Sequence, residues 1–141
     1  MSYTALSPVS AAVYAALNVS AVTSLLGGGI SDDRPQTSAY PCIWFEAAEA
    51  EQLGGFGTRP GLGMLPEIDL RVHVLSTYQG LKQAQTIMEQ AINALKTAPA
   101  VTGYDSWAIF HDRTIPLQDE LEAGVKVKEL VAFFRLYVEE P

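Results

Sequence analysis

The sequence predicts an α+β domain with a single antiparallel sheet, mostly four-stranded, and helices packed on one face. Residues 68–76 alternate apolar and polar side chains, which is typical of a strand with one covered face. Residues 81–95 instead repeat apolar side chains at helical spacing. The chain has 141 residues, of which 48% are hydrophobic, so we expect one domain, residues 1–141, with a substantial core.

The chain begins with two predicted helices. Ser7-Pro8 supplies an N-cap and a first-turn proline, and apolar residues at helical spacing follow. Asn18 or Ser20 is expected to cap a second, short helix. Gly27 is expected to take the left-handed conformation that ends this helix. Two more glycines and a polar connector, roughly residues 31–39, then lead into Tyr40-Pro41 and an apolar strand.

A long loop is predicted after this strand, at about residues 52–66. It contains five glycines and two prolines, and strand patterns flank it on both sides. Loops of this length are uncommon in compact domains unless they bind something or are disordered, and the sequence leaves both alternatives open. Phe56 and Leu62 favour a partner, because large apolar side chains are costly to leave in water.

The best periodic signal follows the strand at 68–76. Ser76 and Gln79 have the spacing of a capping box, which predicts that a helix starts there and ends before Pro99. Its apolar stripe contains Leu81, Ala84, Ile87, Met88, Ala91, Ile92 and Leu95. Such a stripe is far more often core than a cofactor groove, so we assign it to the core.

The C-terminal third predicts one strand interrupted near Pro116 and one long final strand. The apolar positions of the final strand change parity near Glu129. A bulge at residues 128–130 would explain the change. Alternatively, the strand is buried on both faces, with Phe133 and Tyr137 covered by a neighbouring subunit.

Composition excludes several classes of function. The net charge is −7 with only nine basic residues, which argues against a surface that grips nucleic acid. The one cysteine, Cys42, cannot form an intrachain disulfide, and its apolar surroundings predict a small buried hydrophobe. We see neither a signal peptide nor a stretch of the roughly 20 apolar residues that span a bilayer, so we expect a cytoplasmic protein without a membrane partner.

The sequence shows no recognisable active site. The two histidines, His73 and His111, fall on strands, and their expected place is a polar strand surface. His111 and Asp112 point to opposite faces of a strand and cannot easily share a ligand. The glycine-rich loop lacks the lysine-serine ending of a phosphate loop and does not open a helix. We therefore predict no catalytic residue, metal or cofactor.

The order of elements resembles the tail-completion family of long-tailed bacteriophages, the tail-terminator or tail-to-head joining proteins. The resemblance rests on a helix ending in "LLGGGI", the Arg34-Pro35 connector and Tyr40-Pro41 before a strand. It continues in "DLRVHVLSTYQGLKQAQTIMEQAINAL" and in the final "VKELVAFFRLYVEE". It implies a non-enzymatic virion subunit that forms a ring, typically a hexamer, at the head-proximal end of the tail tube. The ring stops tube growth and offers a surface to the head connector.

Two sets of site residues follow from the resemblance. DNA passes through such a ring without specific binding, and an acidic lumen would repel its phosphates. Residues expected to line this lumen are Glu46, Glu49, Glu51, Asp69, Asp119 and Glu120. The long loop is expected to contact the tube protein or the neck protein through Phe56, Arg59 and Leu62.

Three alternatives remain open from sequence. The first is another head–tail connector component, such as a neck or stopper protein. The second is a small-molecule-binding domain or enzyme with a pocket between helices and sheet, which would need convergent buried polar groups. The third is a homo-oligomeric domain of cellular origin.

Overall fold

The structure, a computed structural model, describes residues 6–33, 39–49, 67–97, 99–103, 105–122 and 124–139. Within these ranges it has three helices and six strands. The helices are α1 (Leu6–Leu17), α2 (Ser20–Thr23) and α3 (Lys82–Ala94). The strands are β1 (Ile30–Ser31), β2 (Cys42–Glu49), β3 (Glu67–Ser76), β4 (Asp105–Pro116), β5 (Glu120–Glu122) and β6 (Val125–Glu139).

The strands form one sheet in the order β1-β2-β3-β6-β4, and β5 pairs with β6 off this path. The four long strands that the sequence predicts are all present and pair antiparallel. The prediction of a mostly four-stranded antiparallel sheet needs correction at two places. Two short strands bring the number to six, and β1 pairs with β2 in parallel.

Strand register gives the sheet two different faces, which we name the apolar face and the mixed face. Ile43, Val74 and Leu130 are paired neighbours on the apolar face. That face shares one buried cluster with side chains of α1 and α3. Members of the cluster are Val9, Ala12, Val13, Leu17, Val22, Ile43, Phe45, Ile68, Leu70, Val72, Val74, Ala84, Ile87, Met88, Ala91, Leu95, Val101, Leu130, Ala132, Phe134, Leu136 and Val138. The stripe predicted for α3 is thus confirmed as core.

The start of α3 differs from the prediction. The helix begins at Lys82, and its N-cap residue Leu81 makes no side-chain capping bond. Ser76 instead organises the preceding turn: its Oγ accepts a hydrogen bond from the Tyr78 backbone N–H and donates one to Gln83 Oε1. The short α2 also lacks the predicted side-chain cap, because its N-cap residue is Val19.

The glycine triplet acts through close backbone approach. The backbone N–H groups of Gly27 and Gly28 both donate to the Pro41 carbonyl, at 3.0 and 2.9 Å. A Cβ on Gly28 would lie 1.8 Å from the Ala39 carbonyl oxygen, so only glycine fits there. The positive φ predicted for Gly27 occurs at Gly29, where φ is 81°.

The bulge predicted in the last strand is absent. The pairing of β6 with β3 runs without interruption from Lys128 to Tyr137. Irregular register occurs in β4 instead, between Ser106 and Ala108 and between His111 and Arg113. The parity change arises because residues 129–132 of β6 are buried on both faces. Val127 belongs to a second small cluster with Cys42, which is buried as predicted.

Candidate assembly interface

The mixed face carries charged and aromatic side chains from four adjacent strands. Alternation along each strand places every second residue here, opposite the core. The half of this face near Cys42 is covered by Tyr40 and Trp44. The other half is open, and its side chains at Asp69, Arg71 and Arg135 are exposed. The described side chains that these registers place on this face are Cys42, Trp44, Glu46, Ala48, Glu67, Asp69, Arg71, His73, Leu75, Ala108, Phe110, Arg113, Ile115, Glu129, Val131, Phe133, Arg135 and Tyr137.

A buried histidine joins three strands at the covered end of the mixed face. His73 Nδ1 lies 2.6 Å from Glu129 Oε2, and its Nε2 lies 2.8 Å from Glu46 Oε2. Trp44 stacks on the imidazole with ring centroids 3.8 Å apart and planes 9° apart. Both ring nitrogens lie within hydrogen-bond distance of a carboxylate oxygen, so the imidazole joins Glu46 of β2 to Glu129 of β6.

This arrangement corrects the expectation that His73 lies on an exposed strand surface. Its exposed fraction is 6%, and that of Glu129 is 5%. Sequence parity places both residues on the polar side of their strands, as observed. It could not show that they pair, because they lie 56 residues apart. One signal could have indicated that this charge has a partner. Glu129 directly precedes the apolar residues 130–134, and a carboxylate buried beside such a run needs a partner.

The geometry of His73 is structural and not catalytic. Both ring nitrogens are occupied by carboxylates, which leaves neither for a nucleophile or a metal. His111 binds the Thr114 hydroxyl at 2.8 Å, and Asp112 binds Arg135, so the "HDR" segment does not form an acid–base pair. No group of three metal-ligating side chains converges within the described ranges.

Two arginines flank one phenyl ring in the open half. The guanidinium carbons of Arg71 and Arg113 lie 5.5 and 4.9 Å from the centroid of the Phe133 ring. The ring quadrupole attracts both cations. In the part of the chain that the structure describes, neither guanidinium has a carboxylate within 4.0 Å. Both charges therefore remain available to a partner.

Arg135 organises the remaining charges of the open half. Its Nε donates to both carboxylate oxygens of Asp112, at 3.0 and 3.1 Å, and this bond raises the pKa of Arg135. Its guanidinium also lies 5.8 Å from the Phe110 ring centroid. Tyr137 donates its hydroxyl to Glu67 at 2.8 Å, and burial together with this bond raises the pKa of Tyr137.

Two of the carboxylates predicted to line a lumen are neighbours on the mixed face. Glu46 bonds His73, and Asp69 lies on the adjacent strand, where it pairs with Ala48. Burial raises the pKa of Asp69, and the nearby Glu67 raises it further. Glu49 closes β2 opposite Ile68. Glu51 lies outside the described residues.

The other two predicted lumen residues lie elsewhere. Asp119 accepts a hydrogen bond from Lys128 Nζ at 2.8 Å, and Glu120 begins β5 and pairs with Val127. Both are near the start of β6, whereas Asp69 pairs with Arg135 near its end. The carboxylates predicted to line the lumen therefore lie at different places along the sheet, with Glu46 and Asp69 away from Asp119 and Glu120. The loop residues Phe56, Arg59 and Leu62 all lie outside the described residues.

The described ranges contain no candidate membrane helix, but they contain surface depressions with polar lining residues. None of the helices described there is long and apolar enough to cross a bilayer. An open depression beside α1 is lined by Ser7, Ser10, Ala11, Tyr14, Ile30, Ser31 and Asp32. Its lining contains one carboxylate, Asp32, and one phenol, Tyr14, and neither histidine nor lysine.

Comparison with known proteins gives a family match and matches to solved structures. A family model described as "Tail completion protein gp17" matches residues 11–130. No curated protein matches the sequence. Among solved structures, a chain described as "Virion of native gene transfer agent (GTA) particle" has a TM-score of 0.75 and 18% identity. The match covers 98% of this chain and 99% of that one, so the two share their fold over essentially their whole lengths.

Proposed function

This chain belongs to the Tail completion protein gp17 family of phages, and we propose that it caps the head-proximal end of the tail tube as a ring. The family makes it a structural protein of a phage tail. In the proposed role, the ring, a hexamer, stops tube growth and joins tail to head. The family match over residues 11–130 is the observation that carries this proposal.

The mixed face supports an assembly role over a catalytic one. A domain that acts alone gains nothing from an open face rich in arginine and aromatic side chains, and these residue types are enriched in protein interfaces. Arg71, Arg113 and Phe133 combine both features. Their cation–π contacts hold the guanidiniums in place before a partner binds, which lowers the entropy lost on association.

The proposed partners are other copies of this chain, the tail tube protein and the head connector or neck protein. DNA passes through the ring without specific binding. The loop side chains Phe56, Arg59 and Leu62 are proposed to contact the tube or the neck. We assign the assembled protein to the tail–neck region of the virion, after assembly in the host cytoplasm.

We also propose that the lumen of the ring is acidic, and strand register favours some of the carboxylates over others. Glu46 and Asp69 share the mixed face and can line one surface together. Asp119 is neutralised by Lys128 and lies towards the other end of β6. We therefore expect Glu46 and Asp69 to contribute more to a negative channel than Asp119 and Glu120, while Glu49 and Glu51 stay proposed lumen residues on the strength of the sequence alone. A ring reconstruction with these carboxylates on the outer wall would overturn the lumen assignment.

The first experiment is native mass spectrometry with negative-stain imaging of the purified protein, alone and mixed with tail tubes. We expect rings of defined mass, and caps at one end of the tubes. A monomer that binds no tube would refute the ring proposal. Rings that bind purified connectors but never tubes would identify a neck component instead.

A further inference from the structure

Both lateral edges of the sheet have open backbone. Within the described residues, β4 pairs only with β6, so its outer edge is unpaired along Asp105–Pro116. At the other edge, β1 pairs only with Ile43 and Trp44, so no described strand pairs with the outer side of β2 from Phe45 to Glu49. Open strand edges are templates for pairing with another chain.

The directions of the two edges are compatible with a ring. Successive antiparallel pairings from β2 through β3 and β6 make β4 run opposite to β2. Rotation about a ring axis preserves each strand's direction along that axis. When the strands run along the ring axis, the β4 edge of one copy is therefore antiparallel to the β2 edge of the next copy. The four long strands within one copy also pair antiparallel.

The side chains at matching levels of the two edges are complementary. Register across the sheet places Phe110 of β4 level with Ala48 of β2. Phe110 is 47% exposed, and the small exposed Ala48 leaves room for its ring. By the same register, Arg113 is level with Glu46. The large Phe110 ring would thus meet the small Ala48 side chain. Arg113, which has no carboxylate within 4.0 Å among the described residues, would meet the partly exposed carboxylate of Glu46.

The ends of β4 fit the same arrangement. Pro116 lies level with Ile43, where β1 already occupies the edge of β2, and proline has no N–H to donate there. The two register shifts in β4 leave two regular stretches, Ala108–His111 and Arg113–Pro116, and the second ends level with the part of β2 that β1 occupies. Bulges of this kind limit edge pairing, so the contact between copies is short.

We propose that the β4 edge of one copy pairs with residues Phe45–Glu49 of a second copy, so that the sheet continues from subunit to subunit around the ring. This inference rests on the proposed ring and adds which surfaces meet. Ala108–His111 supplies the backbone contact, while Phe110 packs on Ala48 and Arg113 pairs with Glu46. The contact joins two different surfaces, so it does not stop at a dimer and gives a ring when the rotation between copies closes.

Cysteine cross-linking tests this pairing. Neighbouring strands lie about 4.8 Å apart, which lets cysteines at facing positions form a disulfide. The double variant Phe110→Cys/Ala48→Cys is expected to give a ladder of covalent oligomers up to the ring after mild oxidation. Each single variant is expected to stay monomeric on a non-reducing gel, because Cys42 is only 1% exposed.

The outcomes separate this inference from the proposed function. Rings without a covalent ladder would overturn the edge pairing and leave the ring standing. Dimers from Phe110→Cys alone would show that two β4 edges meet, which also overturns it. Absence of rings in native mass spectra of the wild-type protein would instead refute the proposed function.

A charge variant provides a second readout that does not depend on disulfide geometry. Arg113→Glu places a carboxylate opposite Glu46 and is expected to raise the concentration for half-assembly at least about tenfold. Lys96→Glu makes the same charge change at an exposed residue just after α3 and is the matched control. Equal assembly of the two variants would contradict the proposed contact.

Discussion

His73 shows how one side chain can hold a sheet together across three strands. It links β2 through Glu46 and β6 through Glu129, and Trp44 covers its ring. A buried ion pair adds little stability compared with an apolar replacement, but losing one partner leaves the other charge poorly compensated. The cluster therefore fixes the relative position of three strands that also form the open half of the mixed face.

Replacing His73 tests this role. His73→Ala is expected to lower the free energy of unfolding by about 3 kcal/mol, because Glu129 stays buried without its imidazole partner. Urea denaturation at one fixed protein concentration measures the loss, since assembly also adds stability. His111→Ala, at an exposed residue, is the control and should change stability by less than about 0.5 kcal/mol. A small loss for His73→Ala would show that the cluster does not stabilise the fold.

The same residues show what a single sequence reveals at this scale. Alternation along β3 correctly predicts the face on which His73, Arg71 and Asp69 lie, because side-chain direction follows from backbone pleat alone. Burial on that face depends on which residues cover it. Tyr40 and Trp44 come from another strand and its approach, so the histidine's environment is a tertiary property that local pattern cannot contain.

At the scale of elements, the glycine turn positions the edge of the sheet. The Gly27 and Gly28 N–H groups hold the Pro41 carbonyl, and the Gly29 carbonyl accepts from the Ile43 N–H. These bonds bring β1 alongside the start of β2. The turn therefore determines how much of β2 is covered and how much, from Phe45 onward, stays open.

Substitution of Gly28 tests this turn. Gly28→Ala is expected to destabilise the fold by about 3 kcal/mol, because its Cβ would overlap the Ala39 backbone. Gly29→Ala meets no atom within 4 Å and has only its positive φ to overcome, at a cost of about 1 kcal/mol. Thermal or urea unfolding of both variants gives the comparison. Equal losses would mean that the close approach to Ala39 relaxes easily.

Elements with a long periodic signal could be predicted, and short ones could not. The stripe of α3 and the alternation of β3 each repeat over several turns or residue pairs, so one misplaced residue does not hide them. β1 and β5 have two and three residues, too few to show any period. Their pairing is imposed by the Gly27–Gly29 turn and by the chain reversal at Gly124, where φ is 78°.

At the scale of the whole molecule, charge is distributed unevenly. The chain carries sixteen acidic and nine basic residues. Three of its arginines, at 71, 113 and 135, nevertheless share the mixed face. This concentration offsets part of the negative charge of Glu46, Glu67, Asp69 and Glu129 on that face. The net charge of −7 for the whole chain favours solubility and discourages contact with DNA.

Deletion of residues 54–63 tests whether the long loop is a joining element. β2 and β3 already pair up to Glu49 and Ile68. The deletion leaves residues 50–53 and 64–66 to connect them, which is enough, since hairpins close with about two to five residues. We therefore expect unchanged unfolding and intact rings, but loss of tail–head joining in an in vitro complementation assay.

A second variant separates the length of the loop from its side chains. Phe56→Ser, Arg59→Ser and Leu62→Ser together keep the number of residues and remove the two large apolar groups and the cation. If these side chains bind the tube or the neck, the triple variant should fail to join as the deletion does, because it loses buried apolar area and a charge contact at once. Normal joining by the triple variant with failure of the deletion would assign the role to loop length. Normal joining by both would refute the loop as a partner contact.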